Sequence, residues 1–256
     1  MIHASDLFSL ANKRALVTGG ARGIGLAIAR VFAQAGAEVL ISDLDDGALK
    51  TAVSLLASEG LTVQASCCDN GDERAVARLA AWAGGVDLLV CNAGMEGPVG
   101  PLGSAPTTAV ERVFQVNLMG AVWLSGHLAP GMAARGGGAI ILMASIAGLR
   151  GNKSIGAYGL SKAALAQLAR NLAVEWGPSN IRVNALSPGL VRTGFSEKLL
   201  ADDAFRVRRL GLTPLRRAGE PHEIAGAALF LASPAGGFVT GHNLVIDGGT
   251  LISDGN

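Results

Sequence analysis

The 256-residue sequence predicts an α/β fold: a doubly wound parallel sheet of about seven strands with helices on both faces. Three observations predict it. Short apolar runs alternate with longer helical patterns from one end of the chain to the other. A glycine-rich turn joins the first apolar run to the first helical pattern at residues 18–25. No composition break, repeat, low-complexity tract or linker interrupts the alternation, so one domain over residues 1–256 is expected.

The elements follow in order. Ala15, Leu16 and Val17 read as a buried strand, and Ile24, Ile28, Val31 and Phe32 form a helical stripe over 24–35. A second strand spans 39–41. The helix over 45–58 opens with acidic residues, as the positive end of its dipole favours. A strand at 62–68 precedes a helix at 72–83 with an acidic first turn, and 88–91 is the fourth strand. A long helix is expected over 107–134, broken near Pro130. Then come a strand at 139–143, a long helix at 157–176 and a strand at 181–186. Pro221 suits the first turn of a helix over 221–232, and 244–246 closes the sheet. Residues 189–217 lack a strand pattern and carry several charges around Phe195, Leu199, Leu200 and Phe205. A segment of that length in a compact domain reads as a lid.

Composition removes several function classes. Half the residues are hydrophobic and only 16% are charged, so a large core is available. A net charge of +1 with no basic tract gives nucleic acid nothing to hold. Cys67, Cys68 and Cys91 are an odd set containing an adjacent pair, which suits small buried side chains better than disulfides. The histidines His3, His127, His222 and His242 are scattered, with no zinc-ligand spacing, so no metal is expected. No signal peptide and no membrane-spanning apolar run is evident, and a cytoplasmic protein is expected.

The turn Thr18-Gly19-Gly20-Ala21-Arg22-Gly23-Ile24-Gly25 runs straight into a helix. Glycines there allow close backbone approach to a pyrophosphate, and the helix start supplies N–H donors. The spacing is not the general GxGxxG, and an ordinary tight turn is the plainer alternative. Asp43 ends the second strand about 20 residues past Gly23, the distance at which an acid meets a ribose 2′-OH and repels a 2′-phosphate. Leu44 stands where an arginine would favour the phosphate, so NAD is expected over NADP. Arg22 is the counter-signal, and capping of the next helix is the other use for Asp43.

Tyr158 is the only tyrosine, and Lys162 follows it by one helical turn. An ammonium on the same face lowers a phenol's pKa, and a depression of three units amounts to roughly 4 kcal/mol toward phenolate. Alone, the pair also fits an exposed tyrosine on an amphipathic helix.

These motifs together resemble the short-chain dehydrogenase/reductase family over essentially the whole chain. Thr18–Gly25 matches its TGxxxGxG loop, Asn92-Ala93-Gly94 its NAG motif and Asn117 its helix asparagine. Ser145 with Tyr158 and Lys162 matches its serine and YxxxK, and Pro188-Gly189 with Thr193 matches PGxxxT. Cys91, where asparagine is frequent, and Asn70, where an aliphatic residue is frequent, depart from the pattern.

The resemblance implies a Rossmann-like fold and hydride transfer between NAD(H) and a secondary alcohol or ketone, as in an alcohol dehydrogenase or carbonyl reductase. It implies Tyr158 as general acid/base, Lys162 as the residue lowering its pKa and holding the nicotinamide ribose, and Ser145 as the holder of the substrate oxygen. Asn117 would anchor a water linking Lys162 to solvent. The coenzyme would meet Gly19, Arg22, Gly23, Ile24 and Gly25 at the phosphates, Asp43 and Leu44 at the ribose, and Asp69 and Asn70 at adenine. Asn92, Ala93 and Gly94 would line the ribose side, and Pro188, Gly189, Val191 and Thr193 the carboxamide end. Candidate substrate-pocket residues are Met95, Glu96, Ile146, Ala147, Arg150, Asn152 and Phe195. A homotetramer is the implied assembly. Two rivals stay open: an NADPH-dependent 3-oxoacyl-carrier-protein reductase, and a catalytically silent nucleotide-binding scaffold.

Overall fold

The computed structural model describes residues 3–253. A short helical turn, α1 (Ala4–Leu7), leads to β1 (Arg14–Thr18), α2 (Gly23–Gln34), β2 (Glu38–Asp43), α3 (Asp46–Ser58) and β3 (Val63–Cys67). The chain continues through α4 (Glu73–Ala83), β4 (Leu88–Cys91), α5 (Thr107–Phe114), a widened turn at Gln115–Met119 and α6 (Gly120–Ala134). β5 (Gly138–Met143), α7 (Gly156–Trp176) and β6 (Ile181–Pro188) follow. Last come α8 (Glu197–Ala201), α9 (Asp203–Gly211), α10 (Pro221–Ala232) and β7 (Asn243–Ile246).

All seven strands pair in parallel in the order β3-β2-β1-β4-β5-β6-β7. The fold is the expected Rossmann-like one. A parallel sheet needs a crossover between neighbours, and the helices that supply it cover both faces. Strand alternation sorts the core into two layers. Ala15 and Val17 of β1 face a layer with Ile28, Phe32, Leu49 and Ile224. Leu16 faces the other, with Leu79, Leu124, Met132 and Leu165. Full burial of each large side chain contributes about 1.5–3 kcal/mol, so the near-continuous apolar strands are a direct consequence of two covered faces. β3, at the edge, has one buried residue, Val63, and four that are partly or wholly exposed.

Acidic side chains start the helices as their positions suggested. Asp45 Oδ1 accepts from Ala48 N at 2.9 Å and Asp72 Oδ1 from Arg74 N at 2.9 Å, while Glu223 Oε2 accepts from Glu220 N at 2.7 Å behind Pro221. The expected break near Pro130 is corrected: α6 runs through Pro130. The interruption lies earlier, at 115–119, where the helix widens around the buried Asn117. Side-chain bonds from Asn117 to other parts of the chain hold that wide turn, and nothing in the local sequence marks it. The 189–217 segment carries α8 and α9, which its strand-poor pattern left unassigned. Asp202 caps α9 by accepting from Phe205 N at 3.0 Å.

The chain winds outward from β1 to β3, crosses back to β4 beside β1, and then winds the other way to β7. At such a reversal the loops leaving β1 and β4 diverge and open a crevice at the carboxyl ends of the strands. No helix among the described residues is long and apolar enough to cross a membrane.

Candidate active site

Every candidate group stands on a segment that leaves the carboxyl end of a strand, or on a helix packed beneath those ends. The glycine turn follows β1. Gly19 and Gly23 have φ of 62° and 57°, a backbone region that costs other residues energy. A side-chain carbon at Gly19 would stand 2.9 Å from both Ala93 Cα and Asn92 Nδ2. The turn is strapped to β4: Thr18 Oγ1 accepts from Asn92 N and Ala93 N, each at 3.1 Å, and Asn92 Nδ2 donates to Thr18 O and Gly19 O, each at 3.0 Å. Arg22 precedes α2 without a side-chain cap, so the first N–H groups of that helix stay open. An open, glycine-lined helix start of this kind fits a pyrophosphate.

Around it, Asp43 Oδ2 accepts from Ala21 N and Oδ1 from Asp45 N, both at 3.3 Å, long bonds that leave its carboxylate free to accept more. Leu44 is 64% exposed. Arg22 Nη2 pairs with Asp45 Oδ2 at 2.5 Å, so its charge is already engaged. Gly23 lies against Thr193, bringing the segment after β6 to the phosphate turn. Gly189 packs on Asp247, whereas Val191 is buried in the core and bridges to Gly219. Asp69 is held from both sides: Arg112 Nη2 reaches its two oxygens at 2.7 Å each, and Gly71 N donates to Oδ1 at 2.8 Å. Asn70 is buried beside Gly120.

Tyr158 and Lys162 share the face of α7 that meets Ser145, just past β5. The Ser145 hydroxyl stands near enough to the phenol to favour its ionised form, and Lys162 Nζ lies 5.5 Å from the centre of the tyrosine ring. Lys162 is 3% exposed and donates to Met143 O at 2.6 Å. Asn117 Oδ1 accepts from Met95 N at 2.8 Å, while its Nδ2 donates to Met95 O and to Ser161 Oγ, each at 3.0 Å. Ser161 in turn donates to Tyr158 O at 2.8 Å. Gly94 lies between Asn117 Oδ1 and Lys162 Nζ. The wide turn, the β4 loop and the tyrosine's helix are therefore one bonded unit.

The expected depression of the tyrosine's pKa is corrected for the chain alone. Burial pushes the Tyr158 phenol up to about 12, against the influence of Ser145, and the nearby Glu96 charge pushes the same way as burial. Burial also brings Lys162 down to about 8, with only Cys91 acting in the other sense. Spacing along a helix brought phenol and ammonium together, but withdrawal from water is the largest influence on each of them.

On the substrate side, Phe195 reaches Tyr158 with ring centres 6.0 Å apart. Ile146 and Ala147 are buried in the turn after Ser145, and Ala147 N donates to Ser145 Oγ at 3.1 Å. Asn152 spends its amide on the backbone, donating to Ala147 O at 2.6 Å and Arg150 O at 2.9 Å. It shapes the loop. Sequence reading missed Ser161 and Arg112, which brace the site from behind, and the strapping role of Thr18. Each acts through a partner distant in sequence, so no local pattern carried them.

The arrangement brings a phenol, a hydroxyl beside it, a buried lysine and an open, glycine-lined helix start to one crevice. A family model described as Enoyl-(Acyl carrier protein) reductase matches residues 19–250. Dehydrogenase/reductase SDR family member 4 of Bos taurus is 41% identical over 246 residues, covering 94% of this chain and 88% of the relative. A solved 7 alpha-hydroxysteroid dehydrogenase complexed with NADH and 7-oxo glycochenodeoxycholic acid superposes with a TM-score of 0.92 at 38% identity, covering 97% and 98% of the two chains. A gluconate 5-dehydrogenase from Burkholderia cenocepacia J2315, in complex with NADP and tartrate, gives 0.91 at 34% identity and covers 98% and 100%.

Proposed function

This chain belongs to the short-chain dehydrogenase/reductase family of oxidoreductases, and on that premise we propose that it interconverts a secondary alcohol and its ketone with NAD(H), using Tyr158 as general acid/base. The convergence of Ser145, Tyr158 and Lys162 beside the glycine cradle carries this reading. A bound nicotinamide would supply or take the hydride. The cradle at Gly19, Arg22, Gly23, Ile24 and Gly25 would hold its phosphates, with Asp43 at the ribose, Asn92, Ala93 and Gly94 alongside, and Pro188, Gly189 and Thr193 at the far end.

At neutral pH a phenol held near 12 is protonated and donates to the oxygen of a forming alkoxide. In the reverse direction Tyr158 Oη takes the alcohol proton, which requires positive charge beside it; Lys162, with a pKa of about 8, still carries that charge at neutral pH. Ser145 Oγ orients the substrate oxygen. Asn117 has both amide protons committed, so its part is to hold the wide turn against the β4 loop and α7. The 189–217 segment acts as a lid, with Phe195 closing over the tyrosine. The two long helical stretches, α5–α6 and α7, are the faces for a homotetramer, and Val174 on α7 is 82% exposed.

The lone tyrosine makes a direct test possible. In the chain alone, phenolate absorbance should rise with a midpoint near 12, and saturating NAD+ should move the midpoint down. A midpoint that stays put on coenzyme binding counts against Tyr158 as the base.

Coenzyme choice is a separate expectation, supported by the free acceptor capacity of Asp43, the uncharged Leu44 and the engaged Arg22. Asp43→Ala should raise the NADP/NAD ratio of kcat/KM by about tenfold or more, the scale of a hydrogen bond to a charged group. An unchanged ratio removes the assignment. A strong NADPH preference in the wild-type protein would turn the reading toward a 3-oxoacyl-carrier-protein reductase.

A further inference from the structure

The loop after β3 borders the crevice on the side away from β5 and Tyr158. It begins beside the end of β2, where Cys68 N donates to Asp43 O at 2.9 Å. It closes where Asp72 N donates to Asp69 O at 3.1 Å and the Asp72 side chain caps α4. Between those points it lies on the helical stretch that follows β4. Gly71 lies against the Arg112 guanidinium and Val116, and Asn70 O lies against Gly120. A group that extends past Asp43 to this side of the crevice meets residues 69–71.

These contacts are close enough to dictate residue type. A side-chain carbon at Gly71 would stand 2.9 Å from Val116 Cγ2, 2.8 Å from Arg112 Cζ and closer still to Arg112 Nη1. One at Gly120 would stand 2.5 Å from Asn70 O. Neither glycine has a positive φ, so the neighbour and not the backbone excludes a larger residue. Arg112 fastens the interface. Its Nη2 reaches both Asp69 oxygens at 2.7 Å, and Gly71 N donates to Asp69 Oδ1 at 2.8 Å. The two side chains are 35% and 33% exposed, against 61% and 53% for the Arg22–Asp45 pair, so water screens this bond less. It also compensates a carboxylate that would otherwise face an incoming phosphate. Just beyond Val116 stands Asn117, bonded to Met95 and Ser161. The loop is thereby fixed to the most firmly held part of its helix.

We infer that Arg112 is a positioning residue for the coenzyme: acting through Asp69 and the Gly71 backbone, it holds residues 69–71 in the shape that receives the adenosine half. A loop ordered beforehand spares binding the cost of ordering it. This inference rests on the NAD(H) reading and extends it to the half of the coenzyme that does not react.

The test uses AMP, which carries the adenosine half alone, as a competitor of NADH, with 2′,5′-ADP and NADPH in their place if that coenzyme binds tighter. Arg112→Ala should weaken NADH and AMP by the same factor, about tenfold, the scale of ordering one residue on binding. A general loosening of the crevice would cost NADH, which touches both halves, more than AMP. Arg112→Lys should restore part of both affinities, because charge returns without the planar fork. Gly71→Ala, whose new carbon displaces the guanidinium, should reproduce the loss, and the double variant should be no worse than Arg112→Ala. Thermal unfolding checks that each variant is folded. If Arg112→Ala does not fold, Arg112→Lys and Gly71→Ala carry the same comparison. Unchanged affinities overturn the inference, as does a loss of NADH that exceeds the loss of AMP. So does a wild-type protein from which AMP cannot displace NADH. A wild-type protein that binds neither NADH nor NADPH counts against the coenzyme reading itself.

Discussion

Replacing Tyr158 with phenylalanine is expected to lower kcat/KM by about 10²–10⁴-fold, the usual contribution of a placed general acid/base, while fold and coenzyme affinity stay within a factor of about two. The substitution removes one oxygen. The ring still meets Phe195, and the bond from Ser161 Oγ goes to the backbone carbonyl of residue 158, which is untouched. Neither the core nor the glycine cradle involves the phenol oxygen. Thermal unfolding and NADH titration measure the retained properties, and single-turnover kinetics the lost one. Turnover near the wild-type rate would remove Tyr158 from the chemistry. Lost turnover with equally lost coenzyme binding would give it a structural part instead.

The second large effect is at the cradle. In Gly25→Ala the new methyl group meets the Gly19 carbonyl oxygen well inside contact distance and Asn92 Nδ2 at 2.5 Å. Neither neighbour can step aside: the carbonyl is backbone in a turn with positive φ, and the amide is bonded to Thr18 O and that same Gly19 O. The turn must open, and with it the first N–H groups of α2. Coenzyme affinity should fall about 100-fold or more, roughly 2.7 kcal/mol, with an overpacking cost to stability of about 1–3 kcal/mol. Gly126→Ala is the control, because its added carbon meets nothing and alanine favours a helix. Gly25→Ala binding NADH within threefold of wild type would move the phosphates elsewhere.

The legible part of the site was what short-range pattern carries. Four residues along a helix put Tyr158 and Lys162 on one face. A strand, a glycine turn and a helix start put open N–H groups at one place, and Asp43 followed at the next strand's end. Parallel-sheet geometry then gathers all such strand ends along one edge. The illegible part depended on partners far away in the chain. Pro130 is the strongest local breaker in its helix, yet the helix yields at Asn117, because Met95 and Ser161 bond to it there. Asn152 looked like a pocket amide until Ala147 O and Arg150 O took both its protons. Arg112 and Ser161 announced nothing, and Thr18 stood in the loop motif without its bonds to Asn92 and Ala93 being legible, since those partners lie one or more elements away.

The sequence by itself determined the order of elements, the sheet with two covered faces, the cradle and the tyrosine–lysine pair, because periodicity, turn chemistry and helical spacing are local properties. Only the tertiary structure decided how those groups are charged and what faces them. Burial raises the phenol and lowers the ammonium, Asp45 engages Arg22, and Arg112 holds Asp69. Desolvation and electrostatic fields are sums over neighbours in space, and folding alone sets that neighbourhood.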